Sequence, residues 1–321
     1  MNIIAISIAA CFIFAPLIGL FANTFSIVSG NVTTRWAATP KPLLGGISMF
    51  MAILFALIYS GIPFADHPIL SCAGLFTMIG IYDDIAALSP KKKLALQFCG
   101  AFISAKFFLL LPFSPWFVLA ILWIVFFTNA FNIIDGMDGV ALTFATLLLT
   151  WLTILGNPHV FSYAVLGVCI GFLPYNFRNA SLYIGDSGSH FLGSAIAILV
   201  LPSDIIGIGI PSFHFTDCLP LLYPVSDLLF VSVTRSLRHK SILTAGTDHI
   251  AHRLARIIGE KKTLYILSGI TFFCIAISLV SHNIAGRNNY YVIIPIAFLG
   301  IASLLWLHKK TSFYFIKKNL F

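Results

Sequence analysis

Apolar runs of near-bilayer length recur from one end of this 321-residue chain to the other, and they limit the folds open to it more than any other feature. A hydrocarbon core of about 30 Å takes roughly 17 to 25 helical residues. Runs bounded by Gly, Pro, Asn or charge fall at residues 2–22, 44–61, 69–82, 94–111, 116–130, 140–155, 160–177, 190–201, 218–233, 263–280 and 290–307. Backbone polar groups in lipid must be satisfied within the segment. Continuous runs of this length therefore predict an all-α integral membrane protein, a polytopic bundle of about 11 transmembrane helices. The third, fifth and eighth runs are short, so the count stands at 10 to 11.

Composition agrees. Hydrophobic residues make up 59% and charged residues 9% of the sequence, whereas a soluble domain carries roughly a quarter of its residues charged. The formal net charge of +8 does not point to nucleic acid, because no basic stripe carries interleaved aromatics. Disordered and collagen-like classes are excluded as well. The six cysteines stand singly in apolar surroundings without a C-x-x-C pair and read as free core thiols. Residues 2–22 lack the basic flank and small-residue cleavage site of a signal peptide and read as a retained helix.

The basic residues set the orientation. With eleven spans and the N-terminus outside, 17 of the 19 Lys and Arg face the cytoplasm, all but Lys106 and Arg287. The C-terminus is then cytoplasmic. The chain reads as a single polytopic domain, residues 1–321, with cytoplasmic working loops at 23–43, 83–93, 129–139, 178–189 and 234–262. The localisation that follows is a multi-pass protein of the cell (inner) membrane with a cytoplasmic site.

Seven of the eleven acids (Asp83, Asp84, Asp135, Asp138, Asp186, Asp248 and Glu260) fall on that side. Adjacent Asp83 and Asp84 close the third run with Lys91, Lys92 and Lys93 just beyond, either as an interfacial cap or as a pair awaiting a cation. In Asn129-Ala-Phe-Asn132-Ile-Ile-Asp135-Gly136-Met137-Asp138-Gly139, two carboxylates three apart share a face if the segment is helical. The Asn amides add the equipment for reading a polar heterocycle or sugar. Gly185-Asp186-Ser187-Gly188-Ser189 precedes the eighth run, as a helix N-cap or as a phosphate site at a helix N-terminus. The largest inner loop contains Thr247-Asp248-His249-Ile250-Ala251-His252-Arg253-Leu254. Its His pair suits zinc by spacing, but with Arg253 and Arg256 alongside and no cysteine near, it suits anionic phosphate oxygens at least as well. A solvated basic loop is the plain alternative. His190 and the remaining histidines carry no assigned role.

In this order the motifs resemble the polyprenyl-phosphate N-acetylhexosamine-1-phosphate transferase superfamily, the MraY and WecA type, from Pro42 to about Tyr265. The family's P-x-x-G-G is similar to Pro42–Gly46, its D-D to Asp83-Asp84, its N-x-x-D-G-x-D-G to Asn132–Gly139, and its G-D-x-G-S to Gly185–Ser189. The His loop is similar to a bacterial WecA-like branch with a D-H-x-x-H-R-L pattern. It departs from the wider pattern at Ala251, as the first motif does at Leu43, and neither side chain carries a polar group.

The resemblance implies transfer of N-acetylhexosamine-1-phosphate, GlcNAc-1-phosphate above all, from a UDP-sugar to undecaprenyl (polyprenyl) phosphate. The products are a diphosphate-linked lipid and UMP, the initiating step of cell-surface glycan synthesis in cell wall or lipopolysaccharide O-antigen assembly. It implies Mg2+ as cofactor, with Mn2+ as a substitute, and is compatible with a homodimer. By the same resemblance Asp186 ligates the metal with Asp84, while Asp83 and Asp84 lie near the lipid phosphate. Asn132, Asp135, Asn176 and Tyr183 line the uridine pocket, Lys93 and Arg253 bind substrate, and Asp138, His249 and His252 serve at the diphosphate. A phosphate monoester is largely ionised near neutral pH, its second pKa being about 6, so direct attack by the lipid phosphate needs positioning more than a base. Two other classes compete. An intramembrane Mg-dependent prenyltransferase would carry paired D-x-x-x-D motifs, and a secondary transporter would place its polar groups near the midplane. Among the acids only Asp227 is set deep in a run, and its duty is not legible.

Overall fold

The computed structural model describes residues 2–29, 40–63, 68–156, 160–177, 179–201, 215–242, 246–284 and 290–318. Arg35, Arg178 and Arg287, which enter the charge argument, lie outside them. The described residues form α1 (Ile3–Thr24), α2 (Gly45–Tyr59), α3 (Pro68–Ala86), α4 (Pro90–Ile103) and α5 (Pro115–Ile134). They continue with α6 (Val140–Ile154), α7 (Val160–Asn176), α8 (Gly185–Leu199), α9 (Leu222–Ser236), α10 (Ile250–Ile258), α11 (Glu260–Ile284) and α12 (Tyr290–Lys318). Among the described residues, four helices are long and apolar enough to cross a membrane: Ile3–Thr24, Pro68–Ala86, Pro115–Ile134 and Glu260–His282. Gly45–Tyr59, Val140–Ile154 and Val160–Asn176 are shorter and also apolar.

Local chemistry sets the boundaries. The Asn2 side chain accepts from the Ile4 N–H at the start of α1, and Ser114 does the same for Phe117 N–H ahead of Pro115 at the start of α5. Helices α3, α5 and α8 extend past their apolar runs because polar turns (Tyr82–Ala86, Asn132–Ile134, Gly185–Ser189) continue the helical backbone. The ninth run begins later than its hydropathy. Phe215–Cys218 is a 3₁₀ turn, and α9 starts at Leu222, with Pro224 in a first turn that needs no N–H from it. Past α4 the helix widens into a π-helical turn, Ser104–Phe108, where the Lys106 ammonium lies 4.2 Å from the Phe113 ring centroid.

The packing centres on α8. Every residue from Gly185 to Leu199 is buried except Asp186. A helix enclosed on all sides needs neighbours that approach closely, and glycines supply them. A Cβ on Gly46 of α2 would collide with the Ser187–Gly188 main chain, and one on Gly80 of α3 with the main chain of Asp186. Helix α1 instead turns Phe12, Ile13, Leu17 and Leu20 outward, the kind of apolar surface that a bilayer covers.

The loops at one end are tied to one another. Residues after α1 pair with those before α2 through the Val28–Pro42 bridge. The Pro42–Gly46 motif then bonds to the approach to α8: Tyr183 N–H donates to Pro42 C=O at 3.0 Å, Gly45 N–H to Tyr183 C=O at 3.0 Å and Gly46 N–H to Ile184 C=O at 2.9 Å.

Candidate active site

Four helix ends converge on one ammonium. Lys93, in the first turn of α4, places Nζ 2.7 Å from Asp83 Oδ2 near the end of α3, 2.6 Å from Asp186 Oδ1 in the first turn of α8, and 3.3 Å from Asn132 Oδ1 near the end of α5. These partners account for its three N–H donors. Asn132 Nδ2 donates to Asp186 Oδ1 and, at 2.9 Å, to Ser189 Oγ. Asp83 and Asp186 thus face a single cation position, with side-chain exposures of 7% and 27%, so that Asp186 is the carboxylate open to a ligand.

Asp84 stands beside this group and does different work. Its Oδ1 accepts the Asp186 N–H at 2.7 Å and its Oδ2 the Ser187 N–H at 3.0 Å, so the carboxylate caps α8 from another helix. Gly185 makes the approach feasible: its φ is +70°, and a Cβ there would lie 2.6 Å from Asp84 Oδ2.

The Asn132–Gly139 motif is helical only as far as Ile134. Asp135 is the C-cap of α5, and Asp138 lies in the turn before α6. The two carboxylates therefore do not share a helix face, because the helix ends at Ile134, ahead of both. Asp135 is buried, whereas Asp138 Oδ2 accepts the Ala180 N–H at 2.9 Å. Asn176 bridges the same layer, accepting from Gly139 N–H at 3.2 Å and donating to Leu182 C=O at 3.3 Å. Tyr183 is buried beside the Pro42–Gly46 segment. Asp138, Asn176 and Tyr183 thus knit the backbone around the polar centre.

The His loop reaches this layer through His252. His252 Nε2 lies 3.1 Å from Gly136 C=O, and a Cβ on Gly136 would meet the imidazole at 2.6 Å. Arg253, one residue on, turns the other way and is wholly buried. Its Nε donates to Asp248 C=O at 2.6 Å, its Nη1 donates to Thr311 Oγ1 at 3.1 Å, and its guanidinium stacks 4.8 Å from the Phe230 centroid. Asp227, whose duty was not legible, caps α10 by accepting the Ile250 N–H at 2.6 Å and faces His249 Nδ1 at 3.7 Å. Arg235 holds Asp248 through two nitrogens, at 3.0 and 2.6 Å.

Electrostatics follow from this geometry. Burial, with the neighbouring His252 next, pushes the His249 pKa down to about 3, and burial pushes His252 down to about 4. Both rings are neutral near pH 7. Burial alone would raise Asp248, but Arg235's hydrogen bonds and charge outweigh it and hold the carboxyl at about 2.

A divalent ion fits the Asp83–Asp186 position by the chemistry of the donors. They are hard carboxylate oxygens converging where a cation already sits. Among the described residues no group of three His, Cys, Asp or Glu side chains is placed to hold a metal. Two carboxylates, with water and substrate oxygens completing the shell, suit magnesium. Asp84, with both oxygens on backbone N–H groups, is placed to hold Asp186 rather than to face the shared cation.

Residues that the sequence left unassigned lie one helical turn deeper. Gln97 and His190 are fully buried, and with Asn129 they form a second polar layer beneath Lys93, Asp186 and Asn132. The available signal was spacing: Gln97 follows Lys93 by four, His190 follows Asp186 by four, and Asn129 precedes Asn132 by three.

The fold and site define a helical membrane enzyme class, and the comparisons agree. Residues 67–204 match the family model described as glycosyl transferase family 4. The chain is 30% identical to a phospho-N-acetylmuramoyl-pentapeptide-transferase of Clostridioides difficile, over 66% of this chain and 77% of that protein. It is 28% identical to a Bacillus subtilis protein named probable undecaprenyl-phosphate N-acetylglucosaminyl 1-phosphate transferase, over 92% of this chain and 89% of that one. It is also 25% identical to a decaprenyl-phosphate N-acetylglucosaminephosphotransferase of Mycobacterium leprae, over 93% and 88%. The chain belongs to the polyprenyl-phosphate hexosamine-1-phosphate transferase superfamily.

Proposed function

We propose that this protein transfers GlcNAc-1-phosphate from UDP-GlcNAc to undecaprenyl phosphate or a similar polyprenyl phosphate, releasing UMP, with Mg2+ as cofactor. The observation that carries this reading is the convergence of Asp83, Lys93, Asn132 and Asp186 from four helix ends on one cation position. Both substrates are anionic at their reacting phosphates, so their encounter is opposed unless positive charge lies between them. Magnesium held by Asp186 and Asp83 would supply that charge and polarise the diphosphate. Lys93 is placed to neutralise the two carboxylates, and Asn132 to hold Asp186 in register. Asp84 fixes the first turn of α8. Neutral His252 borders the Asp135–Gly136 turn, where a nucleotide-sugar would be read.

The topology belongs to the same proposal: eleven spans, N-terminus outside, and a cytoplasmic site in the cell (inner) membrane. In support, the ends gathered around the polar centre alternate along the chain, with C-terminal ends of α1, α3, α5 and α7 and N-terminal ends of α2, α4, α6 and α8. Helices joined in sequence that present alternating ends to one place run up and down.

The test supplies purified protein with radiolabelled UDP-GlcNAc, polyprenyl phosphate and Mg2+. Labelled lipid and released UMP, both abolished by EDTA, are expected. A parallel reaction with UDP-MurNAc-pentapeptide separates the two kinds of relative. Turnover of that donor alone would overturn the GlcNAc assignment, and lipid product without UMP would overturn the reaction.

A further inference from the structure

The buried layer beneath the polar centre is a hydrogen-bonded chain with a fixed direction. Asn129 Nδ2 lies 2.8 Å from the Val125 carbonyl, which can only accept. That fixes the amide: its NH2 also meets Gln97 at 2.7 Å, and the Gln97 atom there must be the acceptor Oε1. Gln97 therefore turns its own NH2 toward His190 Nε2, at 2.9 Å. Nε2 must then accept, and the ring proton resides on Nδ1, which lies 2.7 Å from the Asp186 carbonyl.

The far end gives the same answer by itself. A main-chain carbonyl can only accept, so Nδ1 must donate. Two backbone anchors on different helices impose one polarity, Asn129 to Gln97 to His190 to Asp186. No protonated imidazole fits it, because Nε2–H would point at an NH2 group.

The chain ends on the residue that the site uses most. Asp186 N–H is held by Asp84 and its C=O by His190, so both main-chain groups of the residue are gripped by side chains while its carboxylate turns to Lys93 and Asn132. We propose that His190, oriented by Gln97 and Asn129, is a positioning residue that sets the direction of the Asp186 carboxylate, acting only as the neutral Nδ1–H tautomer. The functional part rests on the transferase reading above; the tautomer does not. Partners one shell out from a metal ligand typically govern 10- to 100-fold in metal affinity or activity.

Two measurements test it. In protein labelled with 15N-histidine, the His190 signal, identified by its loss in His190→Asn, should report protonated Nδ1 and bare Nε2 from pH 6 to 8. An Nε2–H tautomer or an imidazolium would overturn the proposal even if the protein were inactive on every donor tried. In the transferase assay, His190→Leu should lower kcat about 10- to 100-fold and raise the Mg2+ concentration for half-maximal rate several-fold, with little change in the KM for UDP-GlcNAc. His190→Asn, which keeps a donor near the Nδ1 position, should recover most of that loss. Equal losses in both variants, or a Leu variant with unchanged kcat and Mg2+ dependence at an unchanged melting temperature, would leave His190 as packing and overturn the positioning role. Absence of wild-type turnover would count against the reaction assignment and leave the tautomer result standing.

Discussion

The acidic centre and the His loop both gather charged side chains, yet they use them differently. Around Lys93, Asp83 and Asp186 bond across helices to one ammonium while Asp84 caps α8, and Asp186 keeps part of its surface open. Around Arg253 they bond inward: Asp227 caps α10, Arg235 clamps Asp248, and Arg253 is enclosed against Phe230 and Thr311. The first arrangement can exchange a protein partner for a ligand without unfolding anything. The second cannot, since Asp227, Arg235 and Arg253 each hold a backbone group. Removing a group should therefore cost turnover in the first region and stability in the second.

The largest effect expected is on turnover at Asp186. Asp186→Asn keeps the shape and removes the charge, and transfer should fall by about three orders of magnitude, the upper range for a single electrostatic group in an active site. Its melting temperature in detergent should stay near wild type. A variant retaining more than a tenth of wild-type kcat would break the contrast at its strongest point.

Next comes Arg235→Leu. It strips Asp248 of its bidentate partner and leaves the Ile242 carbonyl without its donor. Breaking a largely buried pair costs about 3 kcal/mol, so the melting temperature should drop and limited proteolysis should open the α9–α10 connection. Unchanged melting with lost turnover would mean that this region is catalytic in the same sense as the acidic centre.

The smallest effect is a pH dependence. His249 and His252 have folded pKa values below the free value of 6.5, at about 3 and about 4. Between those limits the unfolded chain binds protons that the folded chain refuses. Stability is therefore complete above pH 6.5 and falls as pH drops through it, by on the order of 2 kcal/mol per ring at pH 5. Asp248, depressed from 3.8 to about 2, contributes only below that window. Between pH 7.5 and 5 the melting temperature of His252→Gln should therefore gain on that of wild type. Parallel profiles for wild type and variant would remove the buried-ring account.

The helical framework and the acidic motifs were readable because hydropathy and short spacings are local properties. Proline and serine ahead of α5, and glycine with aspartate at the start of α8, mark their boundaries in the sequence. What was not readable depends on pairing across the chain. Asp138 and Asn176 read as pocket residues, and their backbone partners at Ala180, Gly139 and Leu182 are not visible from spacing. Asp84 looks like a twin of Asp83, yet one carboxylate faces Lys93 and the other the N–H groups of α8, 102 and 103 positions away. His190 reads as a lone ring in an apolar run because Gln97, 93 residues distant, gives it its meaning. Arg253 sits among phosphate-seeking neighbours in sequence, but its position on α10 aims it at α12.

The glycine contacts at α8 carry a consequence for variation. With no glycine side chain between α2, α3 and the first turn of α8, even an alanine at Gly46 or Gly80 would wedge the helices apart at the point where Asp186 is seated. Such a change would act as a geometric poison. It would leave every polar group in place, spare the hydrophobic exterior, and still misalign the centre.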